Sequence, residues 1–187
     1  MLAGRAILQT LGHWMTAEAY GEGLTLGATN WYQWVFEHNP EVFRDAGLLM
    51  TLIATAFFVL WFLDGPPPGL TERQWLVGMA LLSVLFPPFF LPGMHERYFF
   101  TADVFAVIYA FYLPRGWLVT VLIQFASAFT YIPYLFKVEP VPGDLLPLPI
   151  MLAAGLVIRD LLGQGNSEAS HLRKGMPDPL ARPDGEK

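Results

Sequence analysis

A run from Ala46 to Leu63 carries no charged side chain, and it constrains this chain more than any other feature. About 18 apolar residues make roughly 27 Å of helix, close to the hydrocarbon thickness of a bilayer. Inside that layer every backbone N–H and C=O must be bonded within the segment, so such a run is a helix if it is in the membrane at all. Further apolar blocks follow at Trp75–Leu91, Phe99–Leu113, Trp117–Phe136 and Leu145–Leu162. Five spans are therefore expected, in an all-α polytopic integral membrane bundle. Pro87 and Pro88 should kink or end the second helix, while Pro147 and Pro149 delay the start of the fifth. Arg159 must snorkel toward the head groups.

Composition agrees. The chain is 54% hydrophobic and only 14% charged, well below the roughly 25% charge of a soluble domain. A net charge of -5 gives no basic footprint for a phosphate backbone, which argues against nucleic acid as a partner. No cysteine is present, so thiolate metal sites, cysteine nucleophiles and iron–sulfur clusters are excluded. No His spacing suggests a metal site, and no Walker loop, GxSxG elbow, HExxH or GxGxxG occurs.

Lys and Arg in the connections set the expected orientation. One side would hold Arg73, Arg115, Arg159, Arg173, Lys174, Arg182 and Lys187; the other would hold Arg5, Arg44, Arg97 and Lys137. The larger share belongs inside. Residues 1–45 then lie outside, with the loops around Met94–Tyr98 and Lys137–Asp144, and residues 46–162 form the bundle. Leu2–Met15 reads as an amphipathic helix on the membrane surface. Residues 163–187, rich in Gly, Pro and charge, read as a disordered cytoplasmic tail.

Three polar groups stand out. His95, Glu96 and Arg97 sit at the outer mouth of the third helix, a proton carrier, an acceptor and a planar cation side by side. Arg97 suits a phosphate by its fork of donors, with His95 donating to the same anion. The alternative is a charge cluster that solvates a helix end. Glu96 and Asp103 are seven residues apart, so on one helix they would share a face. An acid inside a span faces the bundle interior or water, which makes Asp103 either a functional group or a structural hydrogen-bond partner. Gln124, mid-span, reads as interhelical glue. Asn30, Trp31, Tyr32, Gln33 and Trp34 put flat aromatic faces beside amide donors, a combination that suits a sugar ring or the head-group layer equally.

Pro92-Gly93-Met94-His95-Glu96-Arg97-Tyr98-Phe99-Phe100, between a Pro-broken span and another, resembles a segment of bacterial membrane mannosyltransferases related to the second GPI mannosyltransferase. It is also similar to the His-Glu-Lys segment of eukaryotic lipid-linked oligosaccharide glucosyltransferases. Thr29-Asn30-Trp31-Tyr32-Gln33-Trp34 resembles an external segment of the same C-type glycosyltransferases, which use a polyprenyl-phosphate sugar donor. The resemblance covers roughly residues 25–160. It implies that His95 and Arg97 hold the donor phosphate while Glu96 orients them, and that Asn30, Tyr32, Gln33 and Trp34 border the sugar or acceptor pocket; Asp103 joins that pocket as a candidate from its place inside a span.

The implied chemistry is attack of an acceptor hydroxyl on the anomeric carbon, the polyprenyl phosphate leaving. Arg97 or a divalent cation would stabilise the leaving charge. The superfamily's catalytic acid lies in a first external loop that no segment here matches. Glu18, Glu22 and Glu37 lack its setting. The chain is therefore expected to be the carboxyl half of a longer enzyme of the bacterial inner membrane, inactive alone. A non-catalytic accessory subunit of a larger membrane complex is the competing reading, with other membrane subunits and lipids as partners.

Because the native chain lacks cysteine, a single His95→Cys substitution reports orientation cleanly. A membrane-impermeant maleimide should label it from the outer face of intact cells; labelling only after the inner face is opened would reverse the assignment.

Overall fold

A computed structural model describes residues 24–35, 40–113 and 116–175. Five helices run in sequence: α1 (Pro40–Asp64), α2 (Glu72–Phe90), α3 (Phe100–Tyr112), α4 (Gly116–Phe136) and α5 (Pro147–Gly175). Two short strands, β1 (Thr25–Leu26) and β2 (Met94–His95), and three 3-10 turns (Trp31–Trp34, Glu96–Phe99, Gly143–Leu145) complete it. The all-α bundle is therefore as the sequence implied. The expected surface helix at Leu2–Met15, the acidic residues Glu18, Glu22 and Glu37, and residues 176–187 lie outside the described residues.

Four segments are long and apolar enough to cross a membrane: Val42–Asp64, Glu72–Phe90, Gly116–Phe136 and Gly143–Leu162. The chain is thus built as an integral membrane protein. The block Phe99–Leu113, expected as a fifth span, instead gives the 13-residue α3. At about 20 Å it falls short of a hydrocarbon layer of roughly 30 Å. The 3-10 turn Glu96–Phe99 leads directly into it, and its last bond closes at Leu113 onto the Tyr109 carbonyl. A second difference concerns α5, whose helical backbone continues past Leu162 to Gly175, where a disordered tail was expected from residue 163.

Local chemistry accounts for the boundaries. Gly65, at φ 80°, ends α1 in the left-handed conformation that favours glycine. Thr71 opens α2 with a capping box: its hydroxyl accepts from the Gln74 N–H while the Gln74 carboxamide oxygen accepts from the Thr71 N–H. Pro87 and Pro88 do not break α2 early; the helix carries them in its last turn and stops two residues later, where the Leu91 N–H closes on the Pro87 carbonyl. Pro147 is the first residue of α5, a position whose N–H has no helical partner in any case.

Helices α2, α3, α4 and α5 pack in a closed ring, α2 against α3, α3 against α4, α4 against α5 and α5 back onto α2. Leu81, Leu82, Leu85, Phe99, Ile123, Val119, Ile150, Val157 and Leu161 fill the interior, with Ala102, Ala106, Ala126 and Ala153 where backbones approach. Between lipid-embedded helices there is no water to expel, so close contact of small residues is what holds them. Helix α1 stands outside the ring on α2, through edge-on pairs Phe58–Phe86 (4.6 Å) and Trp61–Trp75 (5.3 Å). The up-and-down course brings the start of α1, the end of α2, the start of α3, the end of α4 and the start of α5 to one end.

Gly116 marks the tightest approach in the ring: a Cβ there would lie 2.6 Å from the Ala110 Cα and 2.7 Å from the Tyr109 carbonyl. Backbone cannot yield as a side chain can. Gly116→Ala should cost about 1–3 kcal/mol. Gly78→Ala, which meets only the Leu161 methyls, should cost less; unfolding midpoints of the two variants in detergent check the order.

Candidate functional site

The two segments that carried the resemblance meet at one end of the bundle. The Gly93 N–H donates to the Leu24 carbonyl at 2.9 Å, and β1 then pairs in parallel with β2, Thr25 opposite Met94 and Leu26 opposite His95. Gly27 bridges to His95 from the other side. With only two rungs of strand, the ladder is short, yet it sets the register between segments far apart in sequence. Each buried or half-buried backbone polar group there gains a partner that no helix offers it.

Around that ladder the 29–34 segment is scaffolding. Tyr32 is buried, and its hydroxyl donates to the Phe90 carbonyl at 2.9 Å, with the Phe43 carbonyl as a second acceptor at 3.3 Å. One phenol thus ties the segment to the end of α2 and the start of α1. Gly47 makes room for it, since a Cβ there would run into the Tyr32 hydroxyl. Gln33 Nε2 donates to the Ala28 carbonyl at 3.1 Å, and Trp34 Nε1 reaches the Asp144 carbonyl at 2.6 Å, holding the connection between α4 and α5. Asn30 is fully buried, and among the described residues neither end of its carboxamide finds a partner. Such an atom pair asks for an ordered water or a polar group from a ligand.

The charged triplet faces a cleft of about 540 Å³ lined by Leu26, His95, Glu96, Arg97, Tyr131, Tyr134 and Leu135. His95 Nδ1 lies 3.8 Å from Glu96 Oε2. Among the described residues no carboxylate comes within ion-pair distance of Arg97, whose side chain is exposed. A guanidinium left unpaired at a cleft mouth can take an oxyanion through two parallel N–H bonds. No group of three His, Asp or Glu side chains is placed among the described residues to hold a metal ion. Among the side chains that line this cleft, Arg97 carries a positive charge and His95 offers a ring N–H donor.

Asn30, Tyr32, Gln33, Trp34 and Asp103 do not line the cleft; they support the elements that do. Glu96 and Asp103 do not share one helix, because Glu96 belongs to the 3-10 turn and Asp103 to the first turn of α3. Asp103 instead accepts from the Ser127 hydroxyl at 2.7 Å, and its backbone carbonyl accepts from Gln124 Nε2 at 3.1 Å. Gln124 is thus the interhelical tie that its mid-span position implied. Sequence reasoning missed Tyr131 and Tyr134. Their signal was present as Gln124, Ser127, Tyr131 and Tyr134, polar residues three or four apart and so on one face of an otherwise apolar helix.

Compared with known proteins, the chain matches no family model, no curated protein and no solved structure.

Burial pushes the Tyr32 phenol up to about 12, the Trp31 side chain offsetting part of the shift. The folded value lies above the unfolded 10, so this stability is complete below pH 10 and is lost as pH rises toward 12. Tyr32→Phe should lower stability at neutral pH by about 1 kcal/mol through the lost hydrogen bond. It should also make the alkaline decline shallower, by up to about 1.4 kcal/mol per pH unit in that window; unfolding midpoints followed across the alkaline range measure both.

Proposed function

We propose that this chain is part of a membrane glycosyltransferase that takes its sugar from a polyprenyl phosphate. One observation carries the reading: Arg97, with no ion-pair partner among the described residues, and His95 sit together at the mouth of a cleft at one end of an apolar helical bundle. A lipid-linked phosphate needs just that placement, its chain in the hydrocarbon and its anion at the rim. The motif resemblance of residues 29–34 and 92–100 supports it, as does the ladder that ties the chain just before the first segment to the second.

In this reading Arg97 and His95 bind the phosphate, and Glu96 orients the imidazole across 3.8 Å. An acceptor hydroxyl attacks the anomeric carbon and gives its proton to a carboxylate base, the bond from that carbon to the phosphate oxygen breaks, and the oxygen leaves with the electron pair. Arg97 stabilises the charge that develops on it. The site faces outward from a bacterial cytoplasmic membrane, following the distribution of Lys and Arg in the connections. The broad exposed apolar face of α1, which includes Leu52, Leu60 and Leu63, supports a second reading as an accessory subunit whose partner helix covers α1.

Arg97→Ala should weaken binding of a polyprenyl monophosphate to the purified chain in detergent by about tenfold to a hundredfold, the worth of one charge-assisted contact. The matching polyprenol, which lacks phosphate, should bind the variant and the parent alike. Equal phosphate affinity in both proteins would overturn the reading; a subunit without a carrier site would show no preference for the phosphate in either.

A further inference from the structure

The wall of the cleft opposite the charged triplet is chemically different. It comes from the last turns of α4, where Tyr131 and Tyr134 stand with Leu135, while Leu26 of β1 closes the side. Bare phosphate makes use of at most the hydroxyls of that wall and not of its ring faces. Two phenol rings offer flat apolar faces, and their hydroxyls offer donors and acceptors at the ring edges. A ligand that uses both walls carries an anion joined to a compact body with a C–H face and a rim of hydroxyls. We propose that Tyr131 and Tyr134 form the hexose subsite of this cleft, the ring of the donor sugar lying on the phenols while Arg97 holds its phosphate. The inference rests on the polyprenyl-phosphate reading and names which part of that donor each wall takes.

Position and rigidity support the assignment. Gln124, Ser127, Tyr131 and Tyr134 follow one face of α4, and the lower two are bonded to Asp103 of α3. Asp103 stands on the helix that continues directly from the 3-10 turn bearing Arg97, anchored there by the buried Phe99. The buried clamp therefore sets the height of the phenols against the guanidinium before any ligand arrives, and ordering of that kind lowers the cost of binding. Lys137, just past the end of α4, places its ammonium 5.6 Å from the Tyr134 ring centroid and adds a second cation at the rim. Tyr134 is 69% exposed and Tyr131 half-buried, so the rings are accessible without opening the bundle.

The test compares two probes on the full chain in detergent: a polyprenyl monophosphate and the same lipid carrying a phosphate-linked mannose. Tyr131→Ala should raise the Kd for the mannosyl lipid about tenfold and leave the bare phosphate unchanged, whereas Arg97→Ala weakens both. Tyr131→Phe, which keeps the ring, should retain most of the mannosyl-lipid affinity. Tyr134→Ala repeats the measurement at an exposed position whose loss does not threaten the fold. If the tyrosine variants weaken both probes equally, or neither, the hexose subsite is wrong while the phosphate site stands. If the parent chain binds neither probe, the carrier reading falls, and the subsite falls with it.

Discussion

The parallel pairing of residues 24–27 with residues 93–95 is the interaction on which the arrangement of this end of the bundle depends. Helices satisfy their own backbone, so nothing in α1 or α2 requires the segment before α1 to lie against the turn after α2. The Gly93 bond to the Leu24 carbonyl and the two rungs beyond it supply that requirement. Tyr32 then ties the same corner by donating to the Phe90 carbonyl at the end of α2. With both ties in place, His95, Glu96 and Arg97 are held in a turn instead of being drawn into a longer α3, and Arg97 stays free of any described carboxylate.

A second constraint lies deeper. Asp103 is an acid in the first turn of a short helix, where the exposed N–H groups favour negative charge. One of its carboxylate oxygens is bonded to Ser127, and the other is buried without a partner among the described residues. An acid in that position is costly unless its surroundings compensate, and Ser127, Gln124 and the helix end do so in part. What the ring gains is register: α3 and α4 are locked where lipid alone would let them slide.

How much of this was legible follows from the physics of each part. The helices could be read because uncharged runs of bilayer length have one solution for their backbone groups. Pro147 at the start of α5 and Gly65 past the end of α1 are local rules written in single residues. The bounds of α3 were legible, since it follows the apolar block Phe99–Leu113 to within one residue at each end. The 3-10 turn that precedes it was not. Asn30, Tyr32, Gln33 and Trp34 were singled out correctly as unusual, but an aromatic–amide cluster looks the same whether its polar atoms face a ligand or a neighbouring carbonyl. Tyr131 and Tyr134 were hidden by the reverse problem, because tyrosine near a helix end is ordinary at a membrane interface.

The amino-acid order by itself determined that this is a bundle of membrane helices, where their apolar stretches lie, and that His95, Glu96 and Arg97 fall at a boundary. Those properties come from transfer of contiguous groups between water and lipid, which depends only on neighbours along the chain. Tertiary structure alone decided that the cationic turn faces two tyrosines of α4 across a cleft, and that residues 29–34 brace the turn without lining it. Such pairings join groups far apart in sequence, and their geometry exists only once the ring of helices has closed.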